Sequence, residues 1–106
     1  MANIFTNAAK ARENTRNNTA IHSEIRAIES AVLAGVDAGF LTATVSSGTI
    51  MTDNTDYYKA YYGIVDDRAL IDQIDVVIRY FRDLGYSIKL SESTSTFNTL
   101  VWTIAW

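Results

Sequence analysis

The feature that most constrains the fold is the final segment of the chain, FNTLVWTIAW, residues 97–106. It alternates as a strand does, and both alternating sets are largely apolar: Leu100, Trp102, Ile104 and Trp106 on one side, and Val101, Thr103 and Ala105 on the other. A strand that is apolar on both faces is typical of the middle of a sheet or of an interface. The sequence therefore predicts a β-sheet in which this segment has close neighbours.

A second strand is predicted immediately before it. In Tyr86–Glu92, apolar and polar residues alternate: Tyr86, Ile88 and Leu90 with Ser87, Lys89 and Ser91. The polar run STST, residues 93–96, separates this segment from the last one and is typical of a turn. The pattern predicts a β-hairpin of strands 86–92 and 97–105.

The segment Asp67–Leu84 carries the clearest helical pattern. Apolar residues recur at spacings of three and four and form one stripe: Leu70, Ile74, Val77, Phe81 and Leu84, widened by Ile71 and Ile78. The opposite face carries opposite charges at i,i+4: Arg68 with Asp72, Asp75 with Arg79, and Arg79 with Asp83. Asp66 or Asp67 is the expected N-cap, and Gly85 the expected stop. We expect an amphipathic helix packed on the sheet.

A longer helical pattern runs from Ile4 to Val36. Its stripe contains Ile21, Ile25, Ile28, Val32 and Val36, and extends backwards through Asn18, Thr15, Ala11 and Ala8. The run NTRNNT, residues 14–19, is poor in helix formers, so a break or a frayed turn competes there with a continuous helix. Gly35 and Gly39 supply the stop. Two arrangements stay open: this helix covers the same face of the sheet, or it reaches out to a neighbour.

The segment FLTATVSSGTIM, residues 40–51, alternates apolar with small polar residues and predicts a strand over 40–46. Ser46, Ser47 and Gly48 are turn formers, so Thr49–Met51 is expected to return as a short strand.

The stretch DNTDYYKAYYG, residues 53–63, then predicts a short helix. Thr52 or Asp53 is its expected cap, Asp56 lies in its first turn, and Gly63 ends it.

These patterns together predict an α+β fold. It has a small antiparallel or mixed sheet of three to four strands, a long N-terminal helix, and a central helix packed on one face. A chain of 106 residues has the usual size of one domain. We therefore expect a single domain over 1–106, with an N-terminal helical segment, 1–39, and a β-α-α-β-β core, 40–106.

Composition argues against several classes of function. The net charge is −3, so no basic face for duplex nucleic acid is expected. Without cysteine the chain has no disulfide, thiolate metal site or cysteine nucleophile. The first residues, MANIFTNAAKARENTRNN, lack the apolar core of a signal peptide, and no apolar run approaches the roughly 20 residues of a membrane span. We expect a soluble protein without a membrane partner.

The residues that usually carry chemistry form no recognisable site. His22, the only histidine, has no nucleophile placed beside it by any motif. The acidic residues Asp66, Asp67, Asp72 and Asp75 are the candidates for a hard cation, but helix capping and neighbouring arginines account for them. We therefore expect no catalytic residue, no cofactor and no metal, and hence no enzyme.

The tyrosines of residues 57–62 are the sharpest feature: Tyr57, Tyr58, Tyr61 and Tyr62. A stacking platform needs cations between the aromatics, and Lys59 is the only one within the cluster. An interface suits tyrosine because its ring is apolar and its hydroxyl polar. Neighbours at i,i+1 diverge by about 100°, so the four cannot all point inward. We expect Tyr58 and Tyr62 to support the core and Tyr57 and Tyr61 to face solvent or a partner, or the reverse.

Four strings carry a resemblance to known proteins: NNTAIHSEIRAIESAVLAGVDAG, TIMTDNTDYYKAYYG, DRALIDQIDVVIRYFRDLGYSIKL and FNTLVWTIAW. In this order they resemble small proteins of large tailed phages of marine cyanobacteria, most distinctively in YFRDLGYSI and in the closing W-x-x-x-W. The resemblance covers most of the chain. It implies a phage origin and, by association only, a virion or assembly role. Other virion proteins are the implied partners, and the virion or the host cytoplasm the implied location.

The expected function is therefore structural: a non-enzymatic module of a phage particle or its assembly, acting as a homo-oligomer. Its candidate contacts are the four tyrosines, together with Trp102 and Trp106 of the closing strand. The alternative is a small binding module that uses residues 57–62 for single-stranded nucleic acid or a carbohydrate.

Overall fold

The fold is built on a three-stranded sheet covered by two helices. The computed structural model describes the backbone of residues 8–106 and the side chains of residues 18–106. In chain order the elements are α1 (Ala8–Asp37), β1 (Thr42–Val45), α2 (Ile50–Asp53), α3 (Thr55–Tyr61), α4 (Arg68–Asp83), β2 (Ser87–Glu92) and β3 (Leu100–Ala105). The architecture is α+β, as the sequence predicts. None of the helices in this described part combines the length and apolar character of a membrane span.

The strand order is β1-β3-β2, and both pairings are antiparallel. The predicted hairpin is confirmed, with Glu92 paired to Leu100 beside the connecting loop and Ser87 paired to Ala105 at the far end. The closing strand is the central one, which explains why both of its faces are apolar. Its side chains at 100, 102 and 104 are buried, and those at 101, 103 and 105 are half-buried.

α4 follows its predicted pattern closely. The side chain of Asp67 accepts a hydrogen bond from the Leu70 N–H, which confirms the N-cap. Ile74, Val77 and Phe81 are buried against the sheet. Leu84, predicted as the last member of the stripe, is 60 % exposed because it lies at the C-cap, where the helix ends. The stripe therefore fixes the orientation of α4, although its last position is wrong.

α1 covers the same face of the sheet as α4, which answers the alternative that the sequence leaves open. Its side chains Ile25, Ile28 and Val32 belong to the core that also contains residues of α4 and all three strands. The helix is continuous through residues 14–19, which decides between the break and the continuous helix that the sequence leaves open. Gly39 ends it in the left-handed region, with φ of 83°. The predicted stripe positions before residue 18 lie outside the described side chains.

The connection after β1 differs from the prediction. Thr49–Met51 was expected to be a strand, but the backbone enters α2 at Ile50. The reason is local capping, because the Thr49 side chain accepts a hydrogen bond from the Thr52 N–H. The predicted caps of the next helix are also wrong, since Asn54 caps α3 by accepting from the Asp56 N–H at 2.8 Å.

Candidate functional site

The four tyrosines of α3 do not divide into the two predicted pairs. Tyr57 is buried in the core, Tyr58 is half-buried, and Tyr61 and Tyr62 are exposed. Tyr62 was expected in the core together with Tyr58, or Tyr61 together with Tyr57. Both expectations are wrong for the second residue of the pair, because Tyr61 and Tyr62 are exposed. A helix of two turns presents few positions to the core, and in α3 these are Tyr57 and Ala60.

Three of the four tyrosine hydroxyls are used inside the fold. Tyr57 donates to the side-chain oxygen of Gln73 on α4. Tyr61 donates to the backbone carbonyl of Leu90 at 2.8 Å, and Tyr58 donates to the Glu92 carboxylate at 3.1 Å. The tyrosines therefore fasten α3 to α4 on one side and to the edge strand β2 on the other.

The tyrosine rings do not form a flat platform. The rings of Tyr58 and Tyr62 are 4.9 Å apart at an interplanar angle of 51°. The rings of Tyr61 and Tyr62 are 5.0 Å apart at 86°, an edge-to-face contact. Aromatic pairs of this geometry stabilise each other, whereas stacking of a base or a sugar requires an open ring face. The arrangement favours a structural role for the cluster.

The two tryptophans occupy different environments. Trp102 is fully buried, so its candidacy as a contact residue is wrong. Trp106 is half-buried and packs on α1, where a Cβ at Gly35 would lie 2.9 Å from its ring. Its backbone N–H donates to the Leu41 carbonyl at 3.1 Å, and its ring meets Tyr86 edge to face. Trp106 therefore connects the end of β3 to α1.

Glu24, which no sequence pattern singled out as a site residue, is the centre of a buried polar cluster. This carboxylate is fully buried, and its Oε2 accepts from the Trp102 indole N–H at 2.9 Å and from the Thr49 hydroxyl at 3.0 Å. Thr49 in turn lies 2.6 Å from the hydroxyl of Thr52, so α1, the cap of α2 and β3 meet here. A signal was present in the sequence, because Glu24 lies one turn before Ile28 on the apolar face of α1.

Burial raises the pKa of the Glu24 carboxyl above its ordinary value of 4.5. Hydrogen bonds from Trp102, Thr49 and the Met51 backbone lower the pKa in part, and the charge of Asp53 raises it. Within the described residues, Oε1 has no partner with hydrogen-bond geometry. Glu24 is sealed from solvent and cannot meet a substrate, so its effect is on stability.

The other titratable candidates lie on the surface. His22 is exposed in an open groove that it lines with Thr19, Ser23 and Arg26. Among the described residues, no three of the histidine, aspartate and glutamate side chains gather as a metal site would require. The side chain of Asp67 is occupied in capping α4.

A small apolar cleft lies between α1 and α4. Its volume is about 130 Å³, and it is lined by Val32, Leu33, Phe81, Leu84, Tyr86 and Glu29. At its edge the Tyr80 hydroxyl donates to the Glu29 carboxylate at 3.4 Å. Leu33 and Leu84 are both exposed at this cleft. We call it the α1–α4 cleft.

A second unusual apolar feature is the loop of residues 93–99, which joins β2 to β3. Its only apolar residue, Phe97, is 93 % exposed and is the most exposed large apolar side chain of the described chain. The sequence shows it as a lone phenylalanine in the otherwise polar run STSTFNT. A phenyl ring in that position contributes nothing to this core.

Comparison with protein-family models, curated proteins and solved structures finds no match to this chain. Its function is therefore inferred from the contacts, burial and charge described above.

Proposed function

We propose that this chain is a non-enzymatic structural or assembly module that acts through self-association. The observation that carries the proposal is the apolar surface left open at the end of α1 and in the following turn. Leu33, Val36, Phe40 and Leu41 are each between 52 % and 69 % exposed. Leu33 lies toward α4 and Phe40 toward β1, so exposed apolar side chains surround this end of α1, and apolar surface of this kind often serves an interaction.

The proposal is also supported because the four exposed apolar side chains are not required to close the core. The core is closed without these four side chains, since α1 and α4 already bury Ile28, Ile74 and Phe81 against the sheet. An apolar side chain that is exposed in the folded chain contributes hydrophobic free energy only when another molecule covers it. The surface at the end of α1 is therefore well suited to contact a second copy.

The competing hypothesis is a ligand-binding module that uses the tyrosines. Its support is weak, because three hydroxyls are engaged within the fold and the rings are steeply tilted to one another. Of the four tyrosines, Tyr62 alone combines an exposed ring with a hydroxyl that makes no described hydrogen bond to another element. One ring is a poor basis for stacking along a nucleic-acid strand or a sugar chain.

The proposal is tested by the mass of the purified protein in solution over a wide concentration range. Sedimentation or light scattering should give masses above the monomer value of 11.8 kDa, rising with concentration. A mass that stays at 11.8 kDa at the highest soluble concentration would overturn the proposal and return attention to the exposed face of Tyr62.

The biological setting of this module rests on the resemblance to cyanophage proteins. It supports a role in a phage particle or in particle assembly, with other virion proteins as partners and with the virion or the host cytoplasm as location. Mass spectrometry of purified particles and of infected-cell lysate separates these roles. A virion component should be enriched in the particles, whereas an assembly factor should be found in the lysate alone.

A further inference from the structure

We infer that Phe97 of one copy inserts into the α1–α4 cleft of the next, so that the chain associates head to tail. The inference rests on the proposed self-association and assigns the contact to two surfaces, of which only Leu33 belongs to the exposed set at the end of α1. One surface is the tip of the 93–99 loop, and the other is the cleft lined by Leu33 and Leu84.

The backbone of the loop is held by hydrogen bonds on both sides of Phe97, whose ring is exposed to solvent. The Ser93 hydroxyl accepts from the backbone N–H groups of Ser95 and Thr96, and the Thr99 hydroxyl donates to the Thr96 carbonyl at 2.9 Å. Ser93 N–H also donates to the Thr99 carbonyl, which closes the loop at its base. Because the loop is already ordered, little conformational entropy is lost when its tip is bound.

The cleft matches a phenyl ring in size and chemistry. Its volume of about 130 Å³ is close to the roughly 150 Å³ of an apolar protein cavity known to accept benzene. Val32, Leu33, Phe81 and Leu84 supply apolar walls. Within one copy the phenyl ring of Phe97 is uncovered and the apolar cleft is unfilled, and the two are of similar size.

The charges of the two surfaces are compatible. Residues 93–99 carry hydroxyl and amide groups and no charge, so binding the loop desolvates no ion on that side. The cleft carries one carboxylate, Glu29, at its edge. The hydroxyl and amide groups around Phe97 can donate hydrogen bonds to the Glu29 carboxylate. An acidic residue in the loop would instead be repelled by it.

The geometry requires two copies. Tyr86, which lines the cleft, directly precedes the Ser87 end of β2, whereas the 93–99 loop follows its Glu92 end. Six strand residues separate these ends by about 17 Å, so Phe97 cannot reach the cleft of its own chain. Two different surfaces at opposite ends give a heterologous contact, which closes into a ring or grows as a filament.

The test mixes two single variants that each lose one surface. Phe97→Asp keeps the cleft and loses the ring, and Leu33→Asp keeps the ring and places a charge at the cleft. Both positions are exposed, so both variants should fold, which circular dichroism and thermal melts would verify. Val76→Asp, an exposed apolar position on the outer face of α4, is the matched control and should associate as the wild type does.

Each variant alone should sediment as a monomer, and an equimolar mixture should give a species of twice 11.8 kDa and nothing larger. This follows because one intact ring then meets one intact cleft. Monomers that do not pair on mixing would overturn the head-to-tail arrangement in favour of a symmetric contact. Wild-type association that both variants retain would overturn this inference and leave the proposed function standing. A monomeric wild type would overturn both.

Discussion

The two long helices cover the same face of one sheet, but they follow different rules. α4 buries Ile74, Val77 and Phe81 and exposes its charged residues, and its exposed apolar side chains are Val76, Tyr80 and, at the C-cap, Leu84. α1 buries a carboxylate, Glu24, beside Ile25 and Ile28, and it exposes apolar residues near its C-terminal end. The same layer therefore contains one helix with a simple amphipathic pattern and one that departs from it on both faces.

The difference indicates that the two helices have different roles in the molecule. A helix that buries an apolar stripe and exposes its charges has the pattern that packing on a core requires. A helix that buries an ionisable group and exposes leucine and valine carries features that the core alone does not require. We therefore read α4 as a helix that mainly stabilises the fold and contributes Phe81 and Leu84 to the α1–α4 cleft, and α1 as one that presents the larger share of exposed apolar surface to a partner.

The strongest test of this comparison is whether both helices hold the core equally. Ile28→Ala in α1 and Ile74→Ala in α4 remove fully buried side chains. Each should lower the free energy of unfolding by about 2–5 kcal/mol, because a cavity is left in a packed core. Chemical denaturation of the two variants measures both values.

Arg79→Ala, on the exposed face of α4, is the matched control and should change stability by less than about 1 kcal/mol. If Ile28→Ala cost no more than this control, α1 would be loosely attached and the comparison would fail.

The second test concerns the buried carboxylate of α1. Burial raises the pKa of Glu24 in the folded chain, so folding takes up a proton between the ordinary value of 4.5 and the raised pKa. The unfolded chain binds fewer protons in that window, and stability contributed by this group therefore falls as pH rises through it. Each unit of elevation corresponds to about 1.4 kcal/mol.

Glu24→Gln cannot titrate, so this decline should disappear. Urea denaturation of wild type and variant at several values of pH from 4 upwards isolates the effect, since all other carboxyl groups are shared. A difference in stability that does not change with pH would mean that the Glu24 carboxyl titrates normally in the folded protein.

The third test compares the tyrosines that anchor α3 with the one that does not. Tyr57→Phe removes a hydroxyl that donates to Gln73 in a buried position, and it should cost about 1–3 kcal/mol because a buried acceptor loses its donor. Tyr62→Phe alters an exposed ring and should change stability by no more than about 0.5 kcal/mol. Thermal melts rank the two variants, and equal losses would contradict the assignment of Tyr57 as the anchor.

The smallest expected effect on stability lies on the outer faces of the helices. Val36→Ser in α1 and Val76→Ser in α4 both alter exposed side chains, and each should shift stability by less than about 0.5 kcal/mol. Their effects on association should differ, since Val36 lies one turn from Leu33 of the α1–α4 cleft, whereas Val76 lies on the outer face of α4. Light scattering should show a lower mass for Val36→Ser alone, and an equal loss in both would remove the distinction between the helices.

Much of the candidate site was open to sequence reasoning, but its division between core and surface was not. The tyrosine cluster and the closing tryptophans stand out by composition. Their roles depend on neighbours distant in the chain: Gln73 for Tyr57, Leu90 for Tyr61 and Gly35 for Trp106. The spacing of apolar residues and the composition identify which residues are unusual. Whether those residues are buried depends on which helices and strands pack against them.

By itself the sequence determined the features that arise from local interactions. The stripe of α4, the cap at Asp67, the stop at Gly85 and the hairpin of β2 with β3 all follow from spacing and from residue types that favour one backbone conformation. The doubly apolar pattern of β3 predicted either a central place in the sheet or an interface, and β3 is the central strand.

The tertiary structure alone decided three things: that Glu24 would be buried beneath Trp102, that Tyr57 rather than its neighbours would enter the core, and that Phe97 would remain outside it. Each depends on contacts between residues at least sixteen positions apart or on their absence. Such contacts are set by how whole elements pack, because side chains compete for a limited space that no local pattern describes.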